Sequence, residues 1–261
     1  MSIATLAPPT QVTETDVRPG DTSRAEFRLD NLPTLDAEDC ARVYDSVFAL
    51  RDHWTQRDPK LPFYSLGVAA YMDAAQGRAD EYRAKSAAFN EVLRGEFGWL
   101  YERVRETMAE FLEHPCIYHE DFALPGFHIF MHDPNIEKTD SASVHYDLQA
   151  DNFDWSGHPG ADTSRQLSFT LSIKLPEAGG GLLVWNLNEK LLRNLSPEEK
   201  KAAMLENRTP RVFPYAEGVT VVHSGQFLHQ IAKNKDARDG DRRITFQGHA
   251  VYTEAGWVLY W

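Results

Sequence analysis

The stretch SASVHYDLQ, residues 141–149, reads as a β-strand that carries a histidine and an aspartate two positions apart. Side chains at positions i and i+2 of a strand leave the same face, so His145 and Asp147 are expected to point into one site. Two histidines and one carboxylate, with open coordination positions, are typical of a non-haem Fe(II) centre. Because a short His-x-Asp motif also occurs by chance, its meaning depends on whether the rest of the chain completes the site.

The third ligand is expected among three histidines of the later β-type segments, His223, His229 and His249. His229 lies in SGQFLHQIA, just after a glycine-containing turn, and a basic segment follows it. His223 belongs to the preceding run, and the residues after His249 are neutral or acidic. The order of these segments favours His229 as the partner of His145 and Asp147.

The basic segment DRRITFQGHAVY, residues 241–252, predicts an anion-binding strand. Alternation places Arg243 and Thr245 on a polar face, while Arg242 falls on a mostly apolar one. A guanidinium binds a carboxylate through two parallel hydrogen bonds and stays charged at any working pH. Arg243 is therefore the expected anchor for a carboxylate, with Thr245 as an additional hydroxyl donor. Arg242 is the alternative, since a shift of one residue in register exchanges the two faces.

The composition narrows the possible partners and location. The chain has 261 residues, 42% of them hydrophobic, and a formal net charge of −12. That charge disfavours nucleic acid as a partner, because phosphate neutralisation needs clustered Lys and Arg. The sequence contains no run of 18 apolar residues, so no membrane span is predicted. The two cysteines, Cys40 and Cys116, cannot form a disulfide framework, which favours a cytoplasmic protein.

The pattern of apolar and turn-forming residues along the chain predicts an α+β protein with a mainly β core. Residues 1–24 are rich in Pro, Thr and Asp and predict a flexible arm, followed by a single domain over residues 25–261. Helical periodicity dominates residues 25–115 and predicts buttressing helices. Residues 116–261 contain eight short β-type runs, one of them at 141–147, and a helical insertion at 186–209. Such a series predicts a jelly-roll or cupin-like core, that is, a double-stranded β-helix.

Four segments in order make the chain resemble the Fe(II)/2-oxoglutarate-dependent dioxygenase superfamily, in its prolyl-4-hydroxylase-like branch. They are VHYD, LSFTLSIKLPEAGGGLLVW, YAEGVTVVHSGQFLHQI and GDRRITFQ, within residues 126–252. The resemblance implies that His145, Asp147 and His229 bind Fe(II) and that Arg243 binds 2-oxoglutarate. Some family members also use a strand tyrosine to contact the keto acid, and no tyrosine of this chain is assigned to that role.

The resemblance further implies a dioxygenase that uses Fe(II), 2-oxoglutarate and O2 to hydroxylate an unactivated C–H bond. Related halogenases replace the ligand carboxylate with a small residue, so the presence of Asp147 favours hydroxylation over chlorination. The expected substrate is a small molecule, such as a free amino acid or a natural-product intermediate. The alternatives are a peptidyl or protein hydroxylase of the same superfamily and a cupin-like binding protein without redox chemistry.

Two long loops are the expected walls of a substrate pocket, at residues 148–165 and 186–209, since long loops in a compact domain are frequently functional. Asp151, Asn152, Asp154 and Trp155 in the first loop are candidate contacts to a polar substrate, in particular a cationic one. The sequence does not indicate the oligomeric state.

Overall fold

The structure is a computed structural model that describes residues 27–74, 78–132, 143–232 and 238–261. The predicted N-terminal arm, residues 1–24, lies outside the described residues. Within them the secondary structure is mixed, with strands predominating after residue 115. None of the helices in the described ranges has the length and hydrophobicity that a membrane span requires.

Two helices of the predicted flank pack against the sheet. They are α1 (Ala37–Ala49) and α3 (Ala79–Leu112), and the short α2 (Ala70–Asp73) lies between them. Asp36 begins α1, because its carboxylate accepts a hydrogen bond from the backbone N–H of Asp39 at 2.8 Å. The apolar stripe of α3 is buried and includes Phe97, Leu100 and Val104. These helices therefore buttress the sheet, as the sequence predicted.

The described residues contain twelve strands and two further helices. The strands are β1 (Leu29–Pro33), β2 (Thr55–Gln56), β3 (Phe63–Leu66), β4 (Cys116–Ile117), β5 (Gly126–Met131), β6 (Asp162–Lys174), β7 (Gly181–Asn188), β8 (Arg211–Pro214), β9 (Val219–His223), β10 (Phe227–Ile231), β11 (Arg242–Thr253) and β12 (Gly256–Tyr260). Helices α4 (Glu189–Arg193) and α5 (Pro197–Glu206) lie within the predicted insertion. The flank is thus not only helical, since β1, β2 and β3 belong to it.

The strands form two sheets, both largely antiparallel. The larger sheet has nine strands in the order β1-β9-β6-β11-β5-β3-β2, with β12 paired to β11 and β4 paired to β12. The smaller sheet has the order β10-β7-β8. This mixed architecture, with large antiparallel sheets, is consistent with a β-sandwich core and confirms the predicted α+β class with a mainly β core.

The main core lies between α3 and the outer face of the large sheet. Ile244 and Phe246 of β11 and Phe127 of β5 are completely buried there, together with Phe97 and Leu100 of α3. The alternate residues of β11 face the other side of the sheet, and they include Arg243 and Thr245. The predicted division of β11 into an apolar face and a polar face is therefore present in the structure.

One predicted strand is wrong. Residues 141–142 lie outside the described residues, and residues 143–148 do not form a continuous strand. His145 makes only an isolated antiparallel bridge to His229. After this bridge the backbone N–H of Asp147 bonds to the carbonyl of Gly225, at 2.8 Å, and not to β10. The bridge still aligns the segment with β10.

Candidate metal centre

The structure brings His145, Asp147 and His229 together. The Nε2 atom of His145 lies 3.6 Å from Oδ1 of Asp147, and the Nε2 atom of His229 lies 3.4 Å from Oδ2 of the same residue. One ligand atom from each of the three residues falls within 4.8 Å of the others, as a shared metal ion would require. Asp147 is therefore central, with one of its oxygens facing each imidazole.

Main-chain hydrogen bonds hold the two histidines side by side. The N–H of His145 donates to the carbonyl of His229, and the N–H of His229 donates to the carbonyl of His145, both at 2.9 Å. The ring centroids are consequently 4.5 Å apart. The register of β10 against β7 is irregular between Phe227 and His229, where the longer stretch belongs to β7.

The second ring nitrogen of both His145 and His229 is hydrogen-bonded to a backbone carbonyl. Nδ1 of His145 lies 2.8 Å from the carbonyl oxygen of Ser143, and Nδ1 of His229 lies 2.7 Å from that of Phe227. Because a carbonyl oxygen only accepts, each Nδ1 donates its proton and leaves the Nε2 lone pair directed at the shared site. Metal-binding histidines are oriented in this way, by a hydrogen bond from the non-coordinating nitrogen.

The electrostatics keep Asp147 ionised in spite of its burial. Burial by itself raises the pKa of this carboxyl, but the adjacent His229 holds it well below its usual range. The same pair raises the pKa of His229, whose burial alone would lower it. Gln149 donates a further hydrogen bond to Oδ1 of Asp147 at 3.1 Å. A buried anion flanked by two imidazoles is the charge arrangement that a divalent cation requires.

His223 and His249, the two other candidates for the third ligand, lie near this group in different roles. The ring of His223 is 5.1 Å from that of His229, and its Nδ1 accepts the backbone N–H of Gly225 at 3.1 Å. Nδ1 of His249 lies 3.1 Å from the hydroxyl of Ser168. Burial lowers the pKa of His223 to about 3 and also lowers that of His249. Both are neutral imidazoles beside the proposed ligands.

Arg243 is a buried cation without a partner among the described residues. The residue is only 8% exposed, and none of its three guanidinium nitrogens makes a hydrogen bond there. The guanidinium carbon lies 5.9 Å from the ring centroid of Phe130 and 5.7 Å from that of Tyr215. Burial lowers its pKa. A buried charge is costly unless it is paired, so this guanidinium requires an anion.

Arg242, the alternative anchor, lies on the opposite face of β11. Its guanidinium donates to the hydroxyl of Tyr44 and lies 4.8 Å from the ring centroid of Phe48, against α1. Thr245 shares the face of Arg243 and is completely buried, and its hydroxyl accepts a hydrogen bond from Gln247 at 3.1 Å. The register of the strand thus directs Arg243 and Thr245 to the inner face of the sheet.

His128 lies opposite Thr245, Tyr215 lies beside Arg243, and Tyr71 contacts His128. None of the three was identified from the sequence as part of the site. The hydroxyl of Tyr71 lies 2.7 Å from Nε2 of His128. Burial raises the pKa of Tyr71, and the nearby charge of Asp147 raises it further. His128 occupies an inward position of β5, a signal that alternation in GFHIFM contains. Tyr71 comes from α2, and no pattern in the sequence marks it.

A second His-Asp-His group occurs nearer the surface. His119, Asp121 and His158 also bring one potential ligand atom each within 4.8 Å of the others. The side chains of His119 and Asp121 are 37% and 49% exposed. Nδ1 of His119 already accepts the backbone N–H of Asp121 at 3.3 Å, so its lone pair is used. This group lacks the carbonyl-oriented imidazoles of the first.

The predicted pocket loop at residues 148–165 packs partly as core. Trp155 is buried and stacks on Phe122, with ring centroids 4.8 Å apart. Asp154 is exposed and accepts the backbone N–H of Ser156 at 2.9 Å. Asp151 lies 3.9 Å from Arg193 of α4, so the two predicted loops meet at this contact.

Comparison with known proteins finds similar solved structures but no similar sequences. No family model matches the sequence, and no curated protein matches it. A solved structure of an N-substituted L-amino acid dioxygenase from Burkholderia ambifaria AMMD, in complex with alpha-KG, is 16% identical with a TM-score of 0.53. The match covers 89% of this chain and 85% of that one.

The epimerase SnoN, in complex with Fe3+, alpha ketoglutarate and nogalamycin RO, is also similar. It is 14% identical, with a TM-score of 0.50, over 88% of this chain and 81% of the other. The likeness does not bear on the prolyl-4-hydroxylase-like branch, which stays a prediction. At identities this low, the likeness concerns the fold: the chain has the fold of Fe(II)/2-oxoglutarate-dependent oxygenases.

Proposed function

We propose that this protein is a non-haem Fe(II)/2-oxoglutarate-dependent dioxygenase that hydroxylates an unactivated C–H bond of a small molecule. The observation that carries the proposal is an oriented His145-Asp147-His229 group together with a buried Arg243 that has no hydrogen-bond partner among the described residues. A metal site alone would fit many functions. A metal site beside a buried cation fits a dicarboxylate that chelates the metal at one end and pairs with the cation at the other.

The three side chains fit Fe(II) in number and kind. Two imidazole Nε2 atoms and one carboxylate would hold the ion, and this ligand set is the one that non-haem Fe(II) oxygenases use. The carbonyl groups of Ser143 and Phe227 would keep the two imidazoles in the tautomer that binds metal. Asp147 supplies the negative charge, and Gln149 holds one of its oxygens.

Arg243 fits 2-oxoglutarate. Its guanidinium would pair with the remote carboxylate of the keto acid, and the O–H of Thr245 would donate to the same group. When bound, iron and 2-oxoglutarate would supply the chemistry by which O2 oxidises the keto acid to succinate and carbon dioxide and delivers one oxygen atom to the substrate. The buried surroundings of Arg243 and His229 would exclude water from their side of the site. The carboxylate of Asp147 favours hydroxylation over halogenation.

The order of strand pairing supports a double-stranded β-helix. From β5 onward, the chain passes repeatedly between the two sheets. Strands β5, β6, β9 and β11 belong to the large sheet. Between them in the sequence come the His145 bridge, the β7–β8 pair and β10, which belong to the small sheet. Strands that alternate between facing sheets are typical of jelly-roll cores. We propose that residues 25–261 form one catalytic domain, with its helical flank at 25–115, its β-helix core at 116–261 and the helical insertion at 186–209.

The proposed substrate is a small molecule. The similar structures include a dioxygenase of N-substituted L-amino acids and an enzyme solved with nogalamycin RO, which supports a free amino acid or a natural-product intermediate. The net charge of −12 argues against nucleic acid. Cys40 and Cys116 are both free and buried, in keeping with a cytoplasmic location.

Two measurements test the proposed function. Anaerobic titration with Fe(II) and 2-oxoglutarate should produce a visible charge-transfer absorption band that needs both additions. A screen for succinate release over free amino acids, natural-product intermediates and short peptides should then identify the substrate class. Stimulation by peptides alone would favour a peptidyl hydroxylase. Absence of both the band and succinate would leave a binding protein without redox chemistry and would overturn the proposal.

A further inference from the structure

A row of polar residues crosses the inner face of the large sheet beside Arg243. Ser172 of β6 lies opposite Thr245 of β11, Thr245 lies opposite His128 of β5, and His128 lies opposite Ser65 of β3. Residues that are directly opposite on neighbouring strands share a face. Arg243 precedes Thr245 by two positions and shares the same face. His128 is thus a lateral neighbour of the proposed carboxylate site.

His128 has one nitrogen bound and one nitrogen unbound. Its side chain is 5% exposed, and its Nδ1 atom has no hydrogen-bond partner among the described residues. Its Nε2 atom lies 2.7 Å from the hydroxyl of Tyr71. A buried, unbound ring nitrogen costs free energy unless a bound molecule completes its hydrogen bond. Among the described charges, the guanidinium of Arg243 has the largest effect on this imidazole, and the side chain of Gln247 is its polar neighbour on β11.

The contact with Tyr71 determines whether Nδ1 of His128 is a hydrogen-bond donor or an acceptor. Burial and the positive charge of Arg243 together lower the pKa of His128 to about 3, so the imidazole is neutral and carries one proton. If the phenol O–H of Tyr71 donates to Nε2, the imidazole proton resides on Nδ1. Nδ1 is then a donor beside a guanidinium that has no partner in the described part of the chain, and an anion would satisfy both groups.

We propose that His128, held in its Nδ1–H tautomer by Tyr71, is a second anchor for the remote carboxylate of 2-oxoglutarate, beside Arg243 and Thr245. This inference rests on the proposed function. The carboxylate would receive hydrogen bonds from the guanidinium, from the Thr245 hydroxyl and from Nδ1–H of His128. Tyr71 acts through His128 and is a positioning residue contributed by the helical flank.

The experiment is equilibrium binding of 2-oxoglutarate to the full-length protein loaded with Mn(II) under anaerobic conditions, measured by calorimetry. His128→Phe keeps an aromatic ring and removes the donor, so its Kd is expected to rise about tenfold, as for one hydrogen bond to a charged group. His128→Gln retains a side-chain N–H and should recover most of the affinity. Tyr71→Phe should weaken binding less, because the imidazole tautomer becomes free to change.

Two controls separate a hydrogen bond to the carboxylate from a general effect on the structure. 2-Oxovalerate has no remote carboxylate, so its Kd should be the same for wild type and His128→Phe. His114 also has a buried Nδ1 without a described partner, but its ring packs on Tyr252, with centroids 5.2 Å apart. His114→Phe should therefore leave the Kd of 2-oxoglutarate unchanged.

A double-mutant cycle tests the coupling. The Tyr71→Phe/His128→Phe protein should bind 2-oxoglutarate as weakly as His128→Phe alone, because both residues act through one hydrogen bond. Equal affinity of His128→Phe and wild type for 2-oxoglutarate would overturn the inference and leave the proposed function intact. Failure of the wild type itself to bind 2-oxoglutarate would overturn the proposed function and this inference together.

Discussion

His145 and His229 exchange both of their main-chain hydrogen bonds, although they are far apart in the sequence. This pair joins the His-x-Asp segment to β10 by a single rung. The rung fixes the backbones from which both imidazoles project, and each Nδ1 is then tied to a local carbonyl. The separation of the two candidate ligands therefore depends on the backbone and is set before any metal binds.

Substitution of a proposed ligand is expected to abolish specific metal binding. His229→Ala and Asp147→Ala should each lose tight Fe(II) or Co(II) binding and all 2-oxoglutarate-dependent succinate release, since each removes one of three protein ligands. Metal content after anaerobic loading and desalting measures the effect. Asp121→Ala and His158→Ala, in the second His-Asp-His group, are the matched controls. Loss of metal in these controls and its retention in Asp147→Ala would assign the centre to the other group.

Gly225→Ala should disturb the metal centre through Asp147. Gly225 has a φ of +72°, and a Cβ atom there would lie 2.8 Å from both the Cβ and the carbonyl oxygen of Asp147. We expect a loss of about 2 kcal/mol or more in unfolding free energy, from strain and from this contact. Metal affinity should fall as well, because the carboxylate must shift.

Gly179→Ala is the matched control for that substitution. Gly179 has a φ of +87°, and a Cβ atom there would meet nothing within 4 Å. It should show the backbone strain, about 1–2 kcal/mol, without any change in metal affinity. Equal metal affinity in the two variants would contradict the role given to the contact between Gly225 and Asp147.

Arg243→Met should have opposite effects on binding and on stability. Loss of a bidentate pair, at about 1.5–3 kcal/mol for each hydrogen bond to a charged group, should raise the Kd of 2-oxoglutarate by a factor of about 100 or more. The protein without keto acid should be as stable as wild type or more stable, because the substitution removes a buried charge that has no partner among the described residues. Calorimetric binding and chemical denaturation measure the two effects.

Arg242→Met is the control for the register of β11. Arg242 contacts Tyr44 and Phe48 on the opposite face, so its loss should leave the Kd of 2-oxoglutarate within about twofold of wild type. A large increase in Kd for Arg242→Met, with little change for Arg243→Met, would show that the two faces of the strand are exchanged.

Asp73 should make stability dependent on pH. Burial alone would raise its pKa, but the hydrogen bonds and charge of Arg57, at 2.8 and 3.1 Å, hold the pKa below its usual value. The folded pKa is thus below the unfolded one, so the contribution of this pair is complete above pH of about 4 and is lost as the pH falls further. Asp73→Asn should cost about 3–5 kcal/mol near neutral pH, because it leaves Arg57 buried and unpaired.

Chemical denaturation of wild type and Asp73→Asn between pH of about 2 and 7 measures this contribution. The difference between the two free energies of unfolding should decrease at the acid end. Asp30, in an exposed pair with Arg28, gives the control Asp30→Asn, which should change stability by less than about 1 kcal/mol. A difference for Asp73→Asn that is constant over the whole range would contradict the assignment.

The local patterns were sufficient to predict much of the fold. Alternation in residues 242–252 predicted the two faces of β11, and the structure has Ile244 and Phe246 against α3, with Arg243 and Thr245 on the inner face. The helical stripe of α3 is likewise buried. Such periodicities show which residues of one helix or strand face an apolar core, and they can be read from neighbouring residues in the sequence.

The prediction of a strand at residues 141–147 was wrong for a physical reason. A polar and apolar alternation is compatible with a strand, but strand formation also needs a continuous partner. His145 finds one rung on β10, and the N–H of Asp147 is already bound to Gly225. The side chains still converge, because that single rung and the bond to Gly225 fix the backbone on either side of Tyr146.

The sequence by itself determined the residue types of the site, their order along the chain and the faces on which the strands carry them. Only the tertiary structure decided which nitrogen of each imidazole is free, that Arg243 lacks a partner among the described residues, and that Tyr71 of the helical flank reaches His128. Periodicity records burial along one element. Hydrogen-bond partners and unpaired charges depend on atoms from distant elements, which are brought together only when the sheets and helices pack.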